Sequence, residues 1–499
     1  MAHRINLPGV KTMQTQPFRP NTLYYGDCLE VMQSWDGQSV DLIYLDPPFN
    51  SKANYNIIFG NKKQGRKQPD LAQMTAFADT WYWDENAAER VANIKRAVAH
   101  PAHRTIDAFS RIWPDGSGML SYLSYMAERI AEMPRLLKDT GSIYLHCDPT
   151  ASHYLKLIMD EIFGTKNFRN EIIWHYGAGH PPKKDFARKH DSILRYSKTG
   201  CYTFNSSGEH MRIPFKDTAA KMHFTHVDKK GRRYRKYDSG KIAYLDEGKM
   251  VTNVWTDIDG QQARSPISRE YLGYPTQKPL ALLERILTES SNEGDVVLDP
   301  FCGCGTTVHA AHNLKRKWIG IDISTYAIEV IRRERMRNMR ILLEGVPKDL
   351  KAAKHFAANN PFDFEKWAVT RLEGFAPNTV QRVDSGIDGR AKIFALEDAL
   401  AIAQVKGGKP TVDQLKAFVS TLQGGAFELG VFITLEKFDT PTVRKWVGKA
   451  GKLEIGSSRF NRLMMWSIDE YFKDIHPKLP AMAHPRTGRA FQDELLSDV

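Results

Sequence analysis

Apolar residues dominate Val40–Leu45 (VDLIYL), which predicts a buried strand. The strand runs into Asp46-Pro47-Pro48-Phe49, where two prolines deny the sheet its N–H donors and force a turn. Residues 61–137 read as polar loop and then helix, with Leu120, Tyr122, Leu123, Met126, Ile130 and Met133 near helical spacing. Ser142–His146 reads as a strand and Ala151–Ile162 as a helix. From Pro279 an amphipathic helix (LALLERILTES) leads to a buried strand at Val296–Leu298, a glycine-rich turn, another helix and a strand at Trp318–Ile323. Strands alternating with helices predict an α/β domain built on a parallel sheet. A fresh α/β pattern runs over 361–475. It is flanked by a Lys/Ala/Asn-rich stretch at 345–360, expected to be a linker, and by a polar tail at 476–499. Residues 1–20 are polar and proline-containing, and read as a loose arm ahead of a domain at 21–344.

Composition narrows the class. A chain of 499 residues with 42% hydrophobic and 26% charged residues has enough apolar side chains for a large core, and disorder is excluded. The net charge of +12 favours a polyanionic partner. Five scattered cysteines without a CxxC pair speak against both a disulfide framework and a zinc site, and a reducing cytoplasm is the natural setting. The N-terminus lacks the apolar core of a signal peptide. No apolar run approaches a membrane span, so no membrane partner is expected.

Two loops carry chemistry. In Val296–Gly305 (VVLDPFCGCG) a strand ends at Asp299, and Gly303 and Gly305 allow close backbone approach to a ligand. Thr306 then opens a helix whose first amides attract an anion. Asp322, 19 residues after Gly303, ends the next strand, where an acidic side chain takes the ribose hydroxyls of a nucleoside cofactor. The second loop, Asp46–Phe49, sets a carboxylate and an aromatic ring on a stiff double-proline platform. Such a loop suits methylation of an amine conjugated to a base. If Asp46 and the Pro47 carbonyl each accept one N–H, the nitrogen shifts toward tetrahedral geometry and aims its lone pair at a methyl donor. Phe49 stacks on a base that has left the duplex.

The loops occur within an ordered set: Gly26-Asp27-Cys28-Leu29-Glu30, then VDLIYLDPPF, SIYLHCD at 142–148, HDSILRYSK at 190–198, Tyr274-Pro275-Thr276-Gln277-Lys278-Pro279, and finally the glycine-rich loop. Over roughly residues 21–340 this set resembles the β class of DNA amino-methyltransferases, in which the catalytic loop precedes the cofactor loop. The resemblance implies a Rossmann-like, S-adenosylmethionine-dependent domain acting on double-stranded DNA. It implies catalytic roles for Asp46, Pro47, Pro48 and Phe49, and cofactor-binding roles for Asp27, Cys28, Gln277, Lys278, Asp299, Phe301, Gly303, Gly305, Thr306 and Asp322. An acidic first position points to adenine N6, with cytosine N4 the alternative. Self-association as a homodimer or larger assembly is implied as well.

Residues 165–270 occupy the place of that family's target-recognition segment. Tyr and Trp interleave there with Lys183, Lys184, Arg188, Arg232, Arg233, Arg235 and Lys236, the candidates for phosphate contact. The histidines of this region have no metal-ligand spacing, so no zinc is expected. Residues 361–475 resemble the Mrr-like branch of the restriction-endonuclease fold, with Asp388 and the pair Gln404-x-Lys406 expected on two strands of one hairpin. Gln is a weaker ligand than a carboxylate. The domain is therefore expected to bind DNA or assemble the protein and to cut poorly, with Mg2+ required only if it is an active nuclease.

Overall fold

The computed structural model describes residues 16–48, 54–58, 73–78, 81–177, 183–206, 211–215, 218, 222–263, 265, 268–272, 274, 276–378, 386–394, 396, 399–424 and 427–483. Most of the expected N-terminal arm, Phe49, and the tail from 484 onward lie outside them.

A nine-stranded sheet organises the first domain. Its strands are β1 (Thr22–Tyr25), β2 (Val40–Leu45), β3 (Leu137–Cys147), β4 (Phe168–His175), β5 (His190–Ser197), β6 (Val254–Trp255), β7 (Val296–Asp299), β8 (Lys317–Asp322) and β9 (Leu342–Glu344). Across the sheet the order is β6-β4-β5-β3-β2-β7-β8-β1-β9. All pairings are parallel except those of β5, which runs antiparallel to both β3 and β4. The parallel sheet expected from sequence is thus mixed by one strand, because β5 returns directly from β4 and inserts between β4 and β3. β4 and β5 also lie in the stretch assigned to target recognition. They belong to the central sheet, and the segment's separate part is a small three-stranded sheet of 226–227, 233–236 and 242–244 with a two-stranded ladder of 212–213 and 249–250.

Alternation along β2 sends Ile43 and Leu45 to one face and Leu42 and Tyr44 to the other. The first face is covered by α1 (Cys28–Gln33), α2 (Glu85–Arg96), α3 (His103–Ile112), α4 (Gly118–Leu136) and α5 (Ser152–Phe163). The second is covered by α6 (Leu280–Ser290), α7 (Thr306–Asn313) and α8 (Thr325–Val330). A strand at Gln73–Ala78, paired with Asn54–Ile58, interrupts the otherwise helical insertion.

The stretch expected as a linker folds instead. Asp349 caps α9 (Leu350–Asn359) by accepting the amide of Ala352, and Ala353 and Ala357 are buried in the core of the second domain. Helix α10 (Pro361–Val369) follows at once, its first turn opened by a proline that needs no N–H there. A five-stranded sheet runs in the order β10 (Ala376–Pro377), β11 (Gly389–Lys392), β12 (Leu400–Lys406), β13 (Phe427–Thr434) and β14 (Leu463–Ser467). α9 and α10 pack on its Ala401/Ala403/Val405 face. α11 (Val412–Gly424) and α12 (Pro441–Ala450) pack on its Ile402/Phe432 face. Part of the expected tail belongs here too, since Met482 and Ala483 are buried and Met482 bridges to Ile393.

The two domains are joined by a buried charge cluster. Glu329 on α8 is held by Arg332 and Arg333 of its own domain and, at 2.5 Å, by Arg371 from the end of α10. Both Glu329 and Arg371 are less than a tenth exposed. The three guanidinium groups hold the Glu329 carboxyl below its usual range despite its burial.

Candidate active site

Parallel order places the carboxyl ends of β2, β7, β8 and β1 side by side, the position at which open α/β sheets bind ligands. Each end delivers an acidic residue: Asp46 just after β2, Asp299 closing β7, Asp322 closing β8, and Asp27 two residues beyond β1. They line one cavity of about 390 Å³ together with Cys28, Pro47, Pro48, Gln277, Lys278, Phe301, Gly303 and Thr306. Such a volume lies within the range of small-molecule pockets.

Asp46 is gripped by Lys278, whose Nζ donates to both carboxylate oxygens at 2.6 and 2.7 Å. The lysine is only 4% exposed, so the pair is largely withdrawn from water. The loop that delivers it is clamped by Gln277: its Nε2 donates to the Glu270 carbonyl at 2.6 Å and its Oε1 accepts from the Leu272 amide at 2.9 Å. Thr276, immediately before, holds φ at 63°. A β-branched residue in that region costs about 1–2 kcal/mol. Gln277 and Lys278 line the cavity as expected, yet their polar atoms are committed to the loop and to Asp46.

Behind the loop stands a buried chain that the sequence did not disclose. Tyr44 Oη lies 2.7 Å from His146 Nδ1, and His146 Nε2 lies 3.0 Å from Asp191 Oδ2. All three sit in segments singled out by motif, but only the β2-β3-β5 adjacency brings them together.

The other end of the cavity is strongly acidic. Burial pushes the Asp299 carboxyl up to about 7, against hydrogen bonds from Thr307 and the Phe301 amide, with Asp46 and Asp322 raising it further. Burial likewise pushes Asp322 up to about 6, against the amides of Ser324 and Gly303. Clustered buried carboxylates favour a ligand carrying positive charge, and S-adenosylmethionine, with its sulfonium and ammonium groups, fits that requirement. Asp27 caps α1 through the Leu29 amide and pairs with the buried Arg129. The Cys28 thiol is pushed up to about 12 by burial and stays protonated at neutral pH. Gly305 does not line the cavity. It has φ 78°, and a Cβ there would meet Ile331 Cγ1 at 2.7 Å, so the glycine is required by packing of the turn and not by close approach to a ligand.

Among the basic residues, Lys183, Lys184 and Arg188 are exposed around Phe186, which is 92% exposed. Arg232 departs from the expectation of a phosphate contact. Its guanidinium is paired with Asp246 at 2.7 Å and Glu247 at 3.1 Å and lies 3.9 Å over the Tyr244 ring. Arg233 donates to the Phe224 carbonyl, Arg235 lies over Tyr237, and Lys236 is exposed.

In the second domain, β11 and β12 form the expected hairpin. Asp388 Oδ2 accepts the Val405 amide at 2.7 Å, which fixes it beside Gln404 and Lys406. Glu365 on α10 joins them: burial pushes its carboxyl up to about 7, Asp388 raises it further and Lys406 opposes. Gln404 Oε1 is buried without a hydrogen-bond partner among the described residues, and Gly386 leaves room for its amide, since a Cβ there would meet Nε2 at 2.2 Å.

An acidic pocket at the carboxyl ends of a doubly wound sheet, with the Asp46-Pro47-Pro48 turn beside it and Asp388, Gln404 and Lys406 gathered on a second sheet, fits a nucleic-acid-modifying class. Comparison with known proteins agrees: residues 40–333 match the family described as DNA methylase, with N6 and N4 members, and residues 356–457 match the family described as restriction endonuclease, of the Mrr catalytic type. The chain belongs to the N6/N4 DNA methylase family. It is 31% identical to the type II methyltransferase M.HpaI of Haemophilus parainfluenzae over 265 residues, 53% of this chain and 74% of that protein. It is 30% identical to M.EcaI of Enterobacter cloacae over 258 residues, 42% of this chain and 56% of that protein. It is 27% identical to the DNA adenine methyltransferase YhdJ of Escherichia coli (strain K12) over 311 residues, 62% of this chain and 80% of that protein. The chain thus spans little more than half the length of the Enterobacter relative. Among the described residues no helix is long and apolar enough to cross a membrane.

Proposed function

We propose that the chain transfers the methyl group of S-adenosylmethionine to N6 of a flipped-out adenine in double-stranded DNA. The observation that carries this is the placement of the Lys278-held carboxylate of Asp46 in one cavity with Asp299 and Asp322. The cofactor supplies an electrophilic methyl on a sulfonium. Asp46 and the Pro47 carbonyl accept the two N–H groups of the target amine and aim its lone pair at that methyl. Lys278 holds the Asp46 carboxylate in place through both of its oxygens. Bound there, the sulfonium would give up its methyl and leave as a neutral thioether, and the Asp46 carboxylate would pass the amine's surplus proton to water. Asp299 offsets the positive charge of the bound ligand, and Asp322 accepts hydrogen bonds from the ribose hydroxyls of its nucleoside. Phe49 stacks on the base in this reading. Lys183, Lys184, Arg188, Arg235 and Lys236 hold phosphates on either side. The test is incubation of DNA with the chain and S-adenosylmethionine, digestion to nucleosides and mass spectrometry. N6-methyladenine is expected, and N4-methylcytosine as the sole product would overturn the adenine assignment. Self-association, which the family resemblance supports, is checked by light scattering at micromolar protein, where a clean monomer mass with and without DNA would exclude it.

A second reading concerns the C-terminal domain and makes the chain a combined restriction–modification enzyme. It is favoured by the partnerless Gln404 Oε1 beside Asp388, Lys406 and Glu365, a donor set that fits a divalent cation better than Asp388 and Gln404 alone. Asp388, Gln404 and Glu365 would hold Mg2+, which supplies an activated water, and Lys406 would orient that water. Unmethylated plasmid with Mg2+ or Mn2+ and no S-adenosylmethionine decides it. Cutting that vanishes in Asp388→Ala supports cleavage. Intact plasmid returns the domain to DNA binding or assembly.

A further inference from the structure

The cavity of the first domain is not walled by that domain alone. Asp363 and Lys366 of α10 and Pro377 of β10, all from the nuclease-fold domain, line it as well. Asp363 and Lys366 lie one helical turn apart and pair at 3.2 Å. Both side chains are partly exposed, at 35% and 23%, so they face a solvent-accessible space and not the core. Their end of the cavity is fixed by Tyr25: burial pushes its hydroxyl up, the nearby Asp363 and Asp322 carboxylates raise it further, and it stands in register with Asp322 across β1 and β8. Asp363 therefore sits at the Asp322 end, away from the Asp46–Lys278 pair. Ile323, 62% exposed, adds an apolar surface to the same wall. The arrangement is held by the Glu329–Arg371 pair, with α10 packed against α8.

We propose that Asp363 and Lys366 are cofactor-binding residues, so that the nuclease-fold domain closes the nucleoside end of the methyltransferase pocket. This rests on the S-adenosylmethionine reading given above. Asp363 accepts a hydrogen bond from the nucleoside, and Lys366 positions Asp363 through their pair and donates toward the same group. Residues 40–333 match the methylase family, so these two side chains come from outside the family's own framework. Glu365, between the two on α10, is turned toward Asp388 and Lys406. One helix thus borders both centres.

Titration calorimetry of the full chain with S-adenosylhomocysteine, and separately with adenosine, tests the assignment. Lys366→Ala and Asp363→Ala are expected to weaken both ligands by roughly tenfold, with Asp363→Glu recovering part of the loss and the melting temperatures close to wild type. Loss of S-adenosylhomocysteine affinity with adenosine unaffected would overturn the assignment to the nucleoside end. Wild-type affinity in both variants would overturn the proposal while leaving the cofactor reading intact. A wild-type chain that binds neither ligand would remove both. Hydrogen exchange on the unmodified chain gives an independent readout. S-adenosylhomocysteine should slow exchange in 361–369 as well as in 303–307, and protection confined to 303–307 would refute the inference.

Discussion

Lys278 Nζ is bonded to both carboxylate oxygens of Asp46, residues 232 positions apart, inside a pocket where the lysine is almost wholly buried. The pair fixes the position of the Asp46 carboxylate before any substrate arrives. Asp46→Asn preserves shape and removes the charge, so turnover should fall by roughly 100-fold or more while S-adenosylhomocysteine affinity stays near wild type. Asp46→Ala should add a stability loss on the order of 3 kcal/mol, because it strands a buried ammonium group. Calorimetry and urea denaturation separate the two effects, and a large loss of cofactor affinity in Asp46→Asn would misplace the residue.

Cofactor affinity should depend on pH with a definite sign. Burial pushes Asp299 and Asp322 up to about 7 and about 6; the ionised form of Asp299 favours a cationic ligand, and the ionised form of Asp322 is the better acceptor for ribose hydroxyls. S-adenosylmethionine affinity should therefore be highest above about 7.5 and fall as pH drops through 7 and then 6, with proton release on binding near neutrality. Calorimetry in buffers of differing ionisation enthalpy measures that release. An affinity flat from about pH 8 to about pH 5 would contradict the roles of both carboxyls.

Gly305→Ala should destabilise the fold with little direct effect on the cofactor. The new Cβ meets Ile331 at 2.7 Å and the backbone has φ 78°. The cost is about 1–2 kcal/mol for the left-handed conformation plus about 1–3 kcal/mol for overpacking. Pairing it with Ile331→Ala should relieve the second contribution only, a non-additivity that a double-mutant cycle in urea reveals.

Within the basic segment, Arg235 and Lys236 should carry DNA affinity and Arg232 should not. Removing one cation that neutralises a phosphate lowers the slope of log affinity against log salt by about 0.9. Arg235→Ala with Lys236→Ala should flatten that slope by up to about two such steps. Arg232→Ala should barely move it, because Asp246 and Glu247 already neutralise that guanidinium. Equal flattening by all three would show that the Arg232 pairs open on DNA.

Arg371→Met should uncouple the domains. Removing the guanidinium leaves Glu329 buried with its two neighbours on one side only, a loss on the order of 3–5 kcal/mol. Scanning calorimetry should then resolve two transitions. A single unshifted transition would mean the interface is held by other side chains.

Local pattern was enough to place the strands whose ends carry Asp46, Asp299 and Asp322, because each is a short apolar run, the first two stopped by Pro47 and Pro300 and the third followed by the helix cap Ser324. The same pattern misjudged 345–360: Lys and Ala are good helix formers, and Asp349 ahead of them is a capping signal that composition alone conceals. Strand β1, four residues long, carries too little periodicity to register. Pairings such as Lys278–Asp46, Tyr44–His146–Asp191 and Arg371–Glu329 join distant segments and depend on strand order, which no single window of sequence contains. Arg232 shows the converse: a basic run reads as free charge until its acidic neighbours 14 and 15 positions on fold back over it.

The Glu329–Arg371 cluster has a consequence for heredity. A frameshift or stop codon ahead of Arg371 strips Glu329 of its deepest cation, and one ahead of Phe356 also uncovers Tyr25, which packs on that ring. The damaged gene therefore does not yield a sound methylase with a missing appendage. In the opposite direction, a lesion that melts the first domain takes away the anion that Arg371 was folded around. The two halves are thus coupled in folding, each supplying a charge that the other is built around.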